Sequence, residues 1–162
     1  EVVKYLNQPG QFASNLKVTI KTAKSEISGV RVLGPLRDYT QVEISKTDAY
    51  KLGINPPVRE SGDLSGSADI TIIGDNEITV KECTIIATRH IHATKEDLEK
   101  YNLDASKKYR VKVYGEKGGI INNVSIKVSD KSFFEMHLDT DDGNAHLLKC
   151  GDRVTIIGED NE

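Results

Sequence analysis

The sequence predicts a mainly β protein, arranged as two small β-barrel domains capped by short α-helices. Three observations point there. Short runs of β-branched residues recur at regular spacing, and Gly, Pro, Asn or Asp turns separate them. The helical signals are brief and carry their own caps. One strand–capped-helix pattern also occurs twice: Ile44-Ser45-Lys46-Thr47-Asp48-Ala49-Tyr50-Lys51-Leu52 returns as Ala93-Thr94-Lys95-Glu96-Asp97-Leu98-Glu99-Lys100-Tyr101. That is a weak internal duplication, and it divides the chain into a central unit over residues 1–84 and a C-terminal unit over 85–162.

Taken in order, Gln8-Pro9-Gly10-Gln11 marks a lead-in turn. Residues 16–20 and 27–33 form the arms of a hairpin, and Gly34-Pro35 breaks the second arm. Residues 40–44 make another strand that runs into Ser45, a good N-cap, and the helix it starts ends at Gly53. Residues 55–69 are a long Gly-, Pro- and Ser-rich connection of a length that usually has a function. Residues 70–73 and 78–80 flank Gly74-Asp75-Asn76-Glu77 as a second hairpin, and 83–87 form an apolar strand running into Arg89, His90 and His92. After a helix capped by Thr94 come strands at 109–114, 120–128, 132–139 and 153–157, with one helical turn near 143–148.

Length and composition bound the function. The chain of 162 residues carries a net charge of −3, which gives no electrostatic reason to expect nucleic acid or an anionic membrane. No apolar run approaches the ~20 residues of a membrane-spanning helix, and no signal peptide is visible. The first residue is Glu, so the sequence reads as a fragment or processed chain. Cys83 and Cys150 lie far apart without a CxxC partner and read as two buried, reduced thiols of a cytosolic protein.

The chemistry concentrates on histidine. On a strand, residues two apart share a face, so His90 and His92 would present two imidazoles side by side to a divalent metal. The plainer alternative is a polar strand face with Ile91 turned to the core. His137, in a predicted strand, is the best third ligand, with Asp139 placed to orient an imidazole. Three neutral imidazoles leave coordination positions open, as a catalytic metal requires. His146 reads as ordinary surface.

Asp139-Thr140-Asp141-Asp142-Gly143-Asn144 resembles a calcium loop but has its glycine in the wrong place and Cys150 where an acid is needed, so a solvated acidic turn is expected. Arg37 and Arg59 could each grip a phosphate or carboxylate, against the commoner reading of surface arginines. Ser61-Gly62 and Ser65-Gly66 offer backbone N–H groups to an anion without a P-loop's lysine.

In order along the chain, Gln8-Pro9-Gly10-Gln11-Phe12-Ala13, Gly29-Val30-Arg31-Val32-Leu33-Gly34-Pro35-Leu36-Arg37, Gln41-Val42-Glu43-Ile44-Ser45, Pro57-Val58-Arg59-Glu60-Ser61-Gly62-Asp63-Leu64, Arg89-His90-Ile91-His92 and Glu135-Met136-His137-Leu138-Asp139-Thr140-Asp141 resemble PduL-type phosphate propanoyltransferases almost end to end. The resemblance implies two helix-capped β-barrels, a homodimer, and two divalent metals per active site, usually Zn2+. It also implies acyl transfer from coenzyme A to inorganic phosphate in the bacterial cytoplasm or inside a microcompartment. By position it assigns His90, His92 and His137 to a three-histidine metal site, Arg37 and Ser61 to phosphate, and Tyr50 to the adenine end of CoA. The family's other His-x-His precedes the Gln-Pro-Gly motif, so the sequence reads as an N-terminally truncated member with one metal site complete.

Phosphate must be held and partly neutralised yet keep one oxygen to attack the thioester. A metal plus Arg37 suits that task, and no protein nucleophile is needed. The competing expectations are a zinc-dependent ester or thioester hydrolase and a non-catalytic β-barrel interaction domain.

Overall fold

The computed structural model of the protein describes residues 1–161. The chain is mainly β, with twelve strands and three short helices among the described residues. Its contacts divide it into two compact units, Glu1–Ala87 and Thr88–Glu162.

The first unit holds a seven-stranded sheet. β1 (Val2–Tyr5) lies antiparallel to β2 (Phe12–Lys21), which forms the expected hairpin with β3 (Glu26–Gly34) in a register that sets Val18 opposite Val30. β6 (Ala68–Ile73) joins β2 to β7 (Glu77–Ala87), and the short parallel strands β4 (Val42–Glu43) and β5 (Val58–Arg59) pair with the far end of β7. α1 (Lys46–Leu52) is bounded as its sequence dictates. The Ser45 hydroxyl accepts from the Asp48 N–H, and Gly53 takes the left-handed conformation at φ 70°.

The second unit holds a five-stranded sheet in the order β11–β8–β10–β9–β12. β8 (His90–Ala93) runs parallel to β10 (Gly119–Val128) and antiparallel to β11 (Glu135–His137). β9 (Tyr109–Val113) and β12 (Thr155–Glu159) complete the sheet. α2 (Lys95–Tyr101) begins with a reciprocal cap between Thr94 and Asp97, and α3 (Thr140–Ala145) begins at Asp139. Among the described residues, no ladder joins the two ends of either strand path.

Each unit has its own apolar core. Ile20, Leu52, Ile70 and Cys83 are buried together in the first, and Ile91, Tyr109, Val111 and Val124 in the second. Burial of this kind is the main favourable contribution to folding.

Three local expectations change. Residues 78–80 and 83–87 belong to one eleven-residue strand, β7. Glu82, at φ 46°, and a register shift between Ala68 and Ile70 bend it in the middle, where sequence patterning shows an interruption. The strand expected over 132–139 shrinks to three residues, because Asp139 starts a helix. The acidic run after Asp139 is therefore the first turn of α3, where carboxylates meet the unpaired N–H groups. Finally, most of the loop over 55–69 is irregular, but Val58 and Arg59 pair with Ile86 and Ala87.

Candidate metal centre

β8 places its side chains alternately. Ile91 enters the core at 3% exposure, while His90 and His92 share the opposite face. The β11 register sets His137 opposite His90 and Glu135 opposite His92, so all four side chains stand on one side of the sheet. The His90 and His92 ring centroids are 4.8 Å apart, those of His90 and His137 5.2 Å, and those of His92 and His137 4.5 Å. One nitrogen from each of the three rings lies within 4.8 Å of the others.

The proton arrangement suits ligation. His90 Nδ1 lies 2.9 Å from the Thr88 carbonyl, to which it can only donate, so its lone pair is at Nε2. That Nε2 is 3.1 Å from His92 Nε2. Two nitrogens bound to one tetrahedral zinc at ~2.05 Å would be about 3.3 Å apart. His137 Nε2 lies 2.8 Å from Glu135 Oε1, an N–H donating to a carboxylate, and in that tautomer the lone pair is at Nδ1.

Burial pushes the His92 imidazole down to about 4, and His137, His90 and Lys127 push the same way. His92 is thus neutral at pH 7, the form a metal ligand must take. Ser125, paired with His90 on the parallel side, has a buried hydroxyl with no hydrogen-bond partner among the described residues. A converging set of imidazoles, His92 held neutral among them, beside an unsatisfied hydroxyl fits a bound cation with a further, non-protein ligand.

Asp139 does not orient an imidazole. Its side chain accepts from the Asp142 N–H as the N-cap of α3, and Glu135, which sequence reading passed over, holds His137 instead. The signal was available: Glu135 is two residues from His137, the same spacing that singled out His90 and His92.

In the first unit a second polar group assembles. Arg37 Nη1 donates to the Ser61 hydroxyl and to the Tyr39 hydroxyl, each at 2.9 Å. Gln41 donates to the same Ser61 oxygen at 2.9 Å and accepts from the Gly62 N–H at 2.8 Å, fixing the loop. Tyr39 and Gln41 were not singled out from sequence. A guanidinium carries five N–H donors, more than these two bonds use, so Arg37 can also take an oxyanion.

Arg59 instead pairs with Asp63 at 3.5 Å on the surface. Tyr50 is exposed on α1. His146 donates through Nδ1 to the Lys117 carbonyl at 2.8 Å, away from the other histidines.

Comparison with known proteins identifies the group. The sequence profile described as phosphate propanoyltransferase matches residues 1–149. The chain belongs to the phosphate propanoyltransferase family. Proteins named phosphate propanoyltransferase from Thermotoga maritima and Priestia megaterium are 51% and 50% identical to it, over 96% and 91% of this chain and 75% and 68% of their own lengths. One from Rhodopseudomonas palustris is 44% identical over 94% of this chain and 68% of its own. Membership makes the chain an acyltransferase of the phosphotransacylase kind. Among its described residues, no helix is long and apolar enough to cross a membrane.

Proposed function

We propose that the protein transfers a short acyl group, propanoyl or acetyl, between CoA and inorganic phosphate by direct attack of phosphate on the thioester. The observation that carries this reading is the convergence of His90, His92 and His137 in a chain that belongs to the family.

Arg37 holds phosphate through its guanidinium fork, with the Ser61 hydroxyl and the Gln41-anchored loop fixing the fork's direction. One phosphate oxygen forms a bond to the thioester carbonyl carbon. The carbonyl electrons move onto its oxygen, then return as the C–S bond breaks, and CoA leaves as a thiolate that takes up a proton. His90, His92 and His137 would hold a divalent cation, zinc by the donor set, which would supply positive charge to stabilise a developing anion.

No side chain needs to become acylated. Cys83 is buried with its thiol pKa pushed up by that burial, which opposes a thiolate nucleophile. Tyr50 offers an exposed ring for the adenine of CoA. The active form is a homodimer in the bacterial cytoplasm or a microcompartment.

The test is CoA release from propanoyl-CoA with and without phosphate, with the acyl product identified. Release that requires phosphate and yields propanoyl phosphate supports the reading. Release without phosphate, giving free propanoate, would establish a hydrolase, and an acylated protein in the mass spectrum would overturn direct attack.

A further inference from the structure

Arg89 ties together three elements that surround the histidines. Its Nε and Nη2 donate to the two carboxylate oxygens of Asp142 at 2.7 and 2.8 Å, and its Nη1 donates to the Asn122 carbonyl at 3.0 Å. The guanidinium thus sits immediately before β8, spans to α3 through Asp142, and spans to β10 through Asn122. Asp142 follows His137 by five residues, across the start of α3. Its N–H donates to the Asp139 side chain at 2.8 Å, and Asp139, two residues beyond His137, caps the helix that carries Asp142.

We propose that the Arg89–Asp142 pair is a positioning clamp for the metal centre, holding the strand that carries His90 and His92 in fixed relation to the segment that carries His137. The inference rests on the metal-centre reading and adds two residues to it. The need for a clamp follows from the sheet. β11 is only three residues long and lies at the edge, where His137 is the last of its three paired positions. So short a ladder frays easily, while metal ligands must be held to within about half an ångström. A fork that grips both oxygens of one carboxylate fixes direction as well as distance, which a single-point contact does not.

The plainer alternative is a surface ion pair that contributes to folding alone. The two roles separate experimentally, because a folding contribution is read from the metal-free protein and a positioning role from zinc affinity and the Co2+ spectrum.

The test compares the full chain with R89K, R89M, D142N and R89M/D142N. Zinc affinity is read by competition with a chromophoric chelator, geometry by the visible spectrum after Co2+ substitution, and stability by urea denaturation of the metal-free protein. Each single variant is expected to weaken zinc binding by about 10–100-fold and to alter the Co2+ spectrum, with the metal-free urea midpoint nearly unchanged. The double variant is expected to lose no more than the worse single one, because both substitutions remove the same contact. R89K is expected to fail as a rescue, since lysine keeps the charge and lacks the fork.

Unchanged zinc affinity in folded R89M or D142N would overturn the proposal. So would losses that merely track a fall in metal-free stability, or full recovery in R89K. If R89M does not fold, D142N, which preserves the shape of the carboxylate, decides alone. A parent chain that binds no zinc would instead overturn the metal-centre reading itself, a result distinct from variants that bind as well as the parent.

Discussion

At the scale of single residues, the roles divide between side chains legible by spacing and side chains recruited by the fold. His90 and His92 stand on one face because they are two apart on a strand, so their proximity could be read directly. Their meeting with His137, forty-five positions beyond His92, depends on the β8–β11 register, so the residues alone offered His137 only as a candidate third ligand, which the resemblance then assigned. Tyr39 and Gln41 were invisible for a related reason. Gln41 matters because Ser61, some twenty residues away, returns to it, and Tyr39 because its hydroxyl accepts from the same Arg37 Nη1 that donates to Ser61.

Arg37→Ala is expected to lower kcat/KM by about 10²–10³-fold, with the KM for phosphate rising more than that for propanoyl-CoA. Equal effects on both substrates in steady-state kinetics would contradict a phosphate-binding role. The two cysteines provide a separate check. Cys150 is exposed, contrary to the burial expected of both thiols, whereas burial raises the Cys83 pKa and so lowers its thiolate fraction at any given pH. In the native protein iodoacetamide is expected to label Cys150 alone near pH 8, with Cys83 reacting only after denaturation. Peptide mapping reads the outcome.

Secondary-structure elements were most legible where their signals are local. Ser45 and Thr94 cap α1 and α2 because each is followed three residues later by an aspartate whose N–H the hydroxyl can accept. Elements shaped by distant partners were misjudged. β7 runs through the bend at Glu82 because β6 pairs along both halves of it, and β4 and β5 exist only as partners of its far end. Asp139 shows the same limit, since an aspartate after a histidine reads equally as an imidazole partner or a helix cap. Here it closes onto the Asp142 N–H.

Thr94→Ala removes the hydroxyl half of the α2 cap, leaving the backbone N–H at position 94 to donate to Asp97, and is expected to cost about 1 kcal/mol in urea denaturation. No measurable change would mean that the hydroxyl's bond to Asp97 is replaced by water at no cost.

Over the whole molecule, stability rests on the two apolar cores. The ion pairs Arg59–Asp63 and Lys107–Glu159 have exposed side chains, and such pairs contribute little. Leu52 is fully buried in the first unit's core, and Leu52→Ala is expected to destabilise the protein by about 2–5 kcal/mol, a cost readable from the urea midpoint. The mainly β class was legible because short β-branched runs dominate the chain. The strand order was not, because β6 and β7 separate strands that are neighbours in sequence.

The proposed chemistry depends on metal binding by His90, His92 and His137. Its most direct test is the zinc content of the purified chain before and after chelation and reloading, beside His137→Ala with its far-ultraviolet circular dichroism as a control for folding. One reloadable zinc equivalent is expected in the parent at this site, with its loss in a folded His137→Ala variant. A parent that binds no zinc, or a variant that retains it at the parent's affinity, would contradict it.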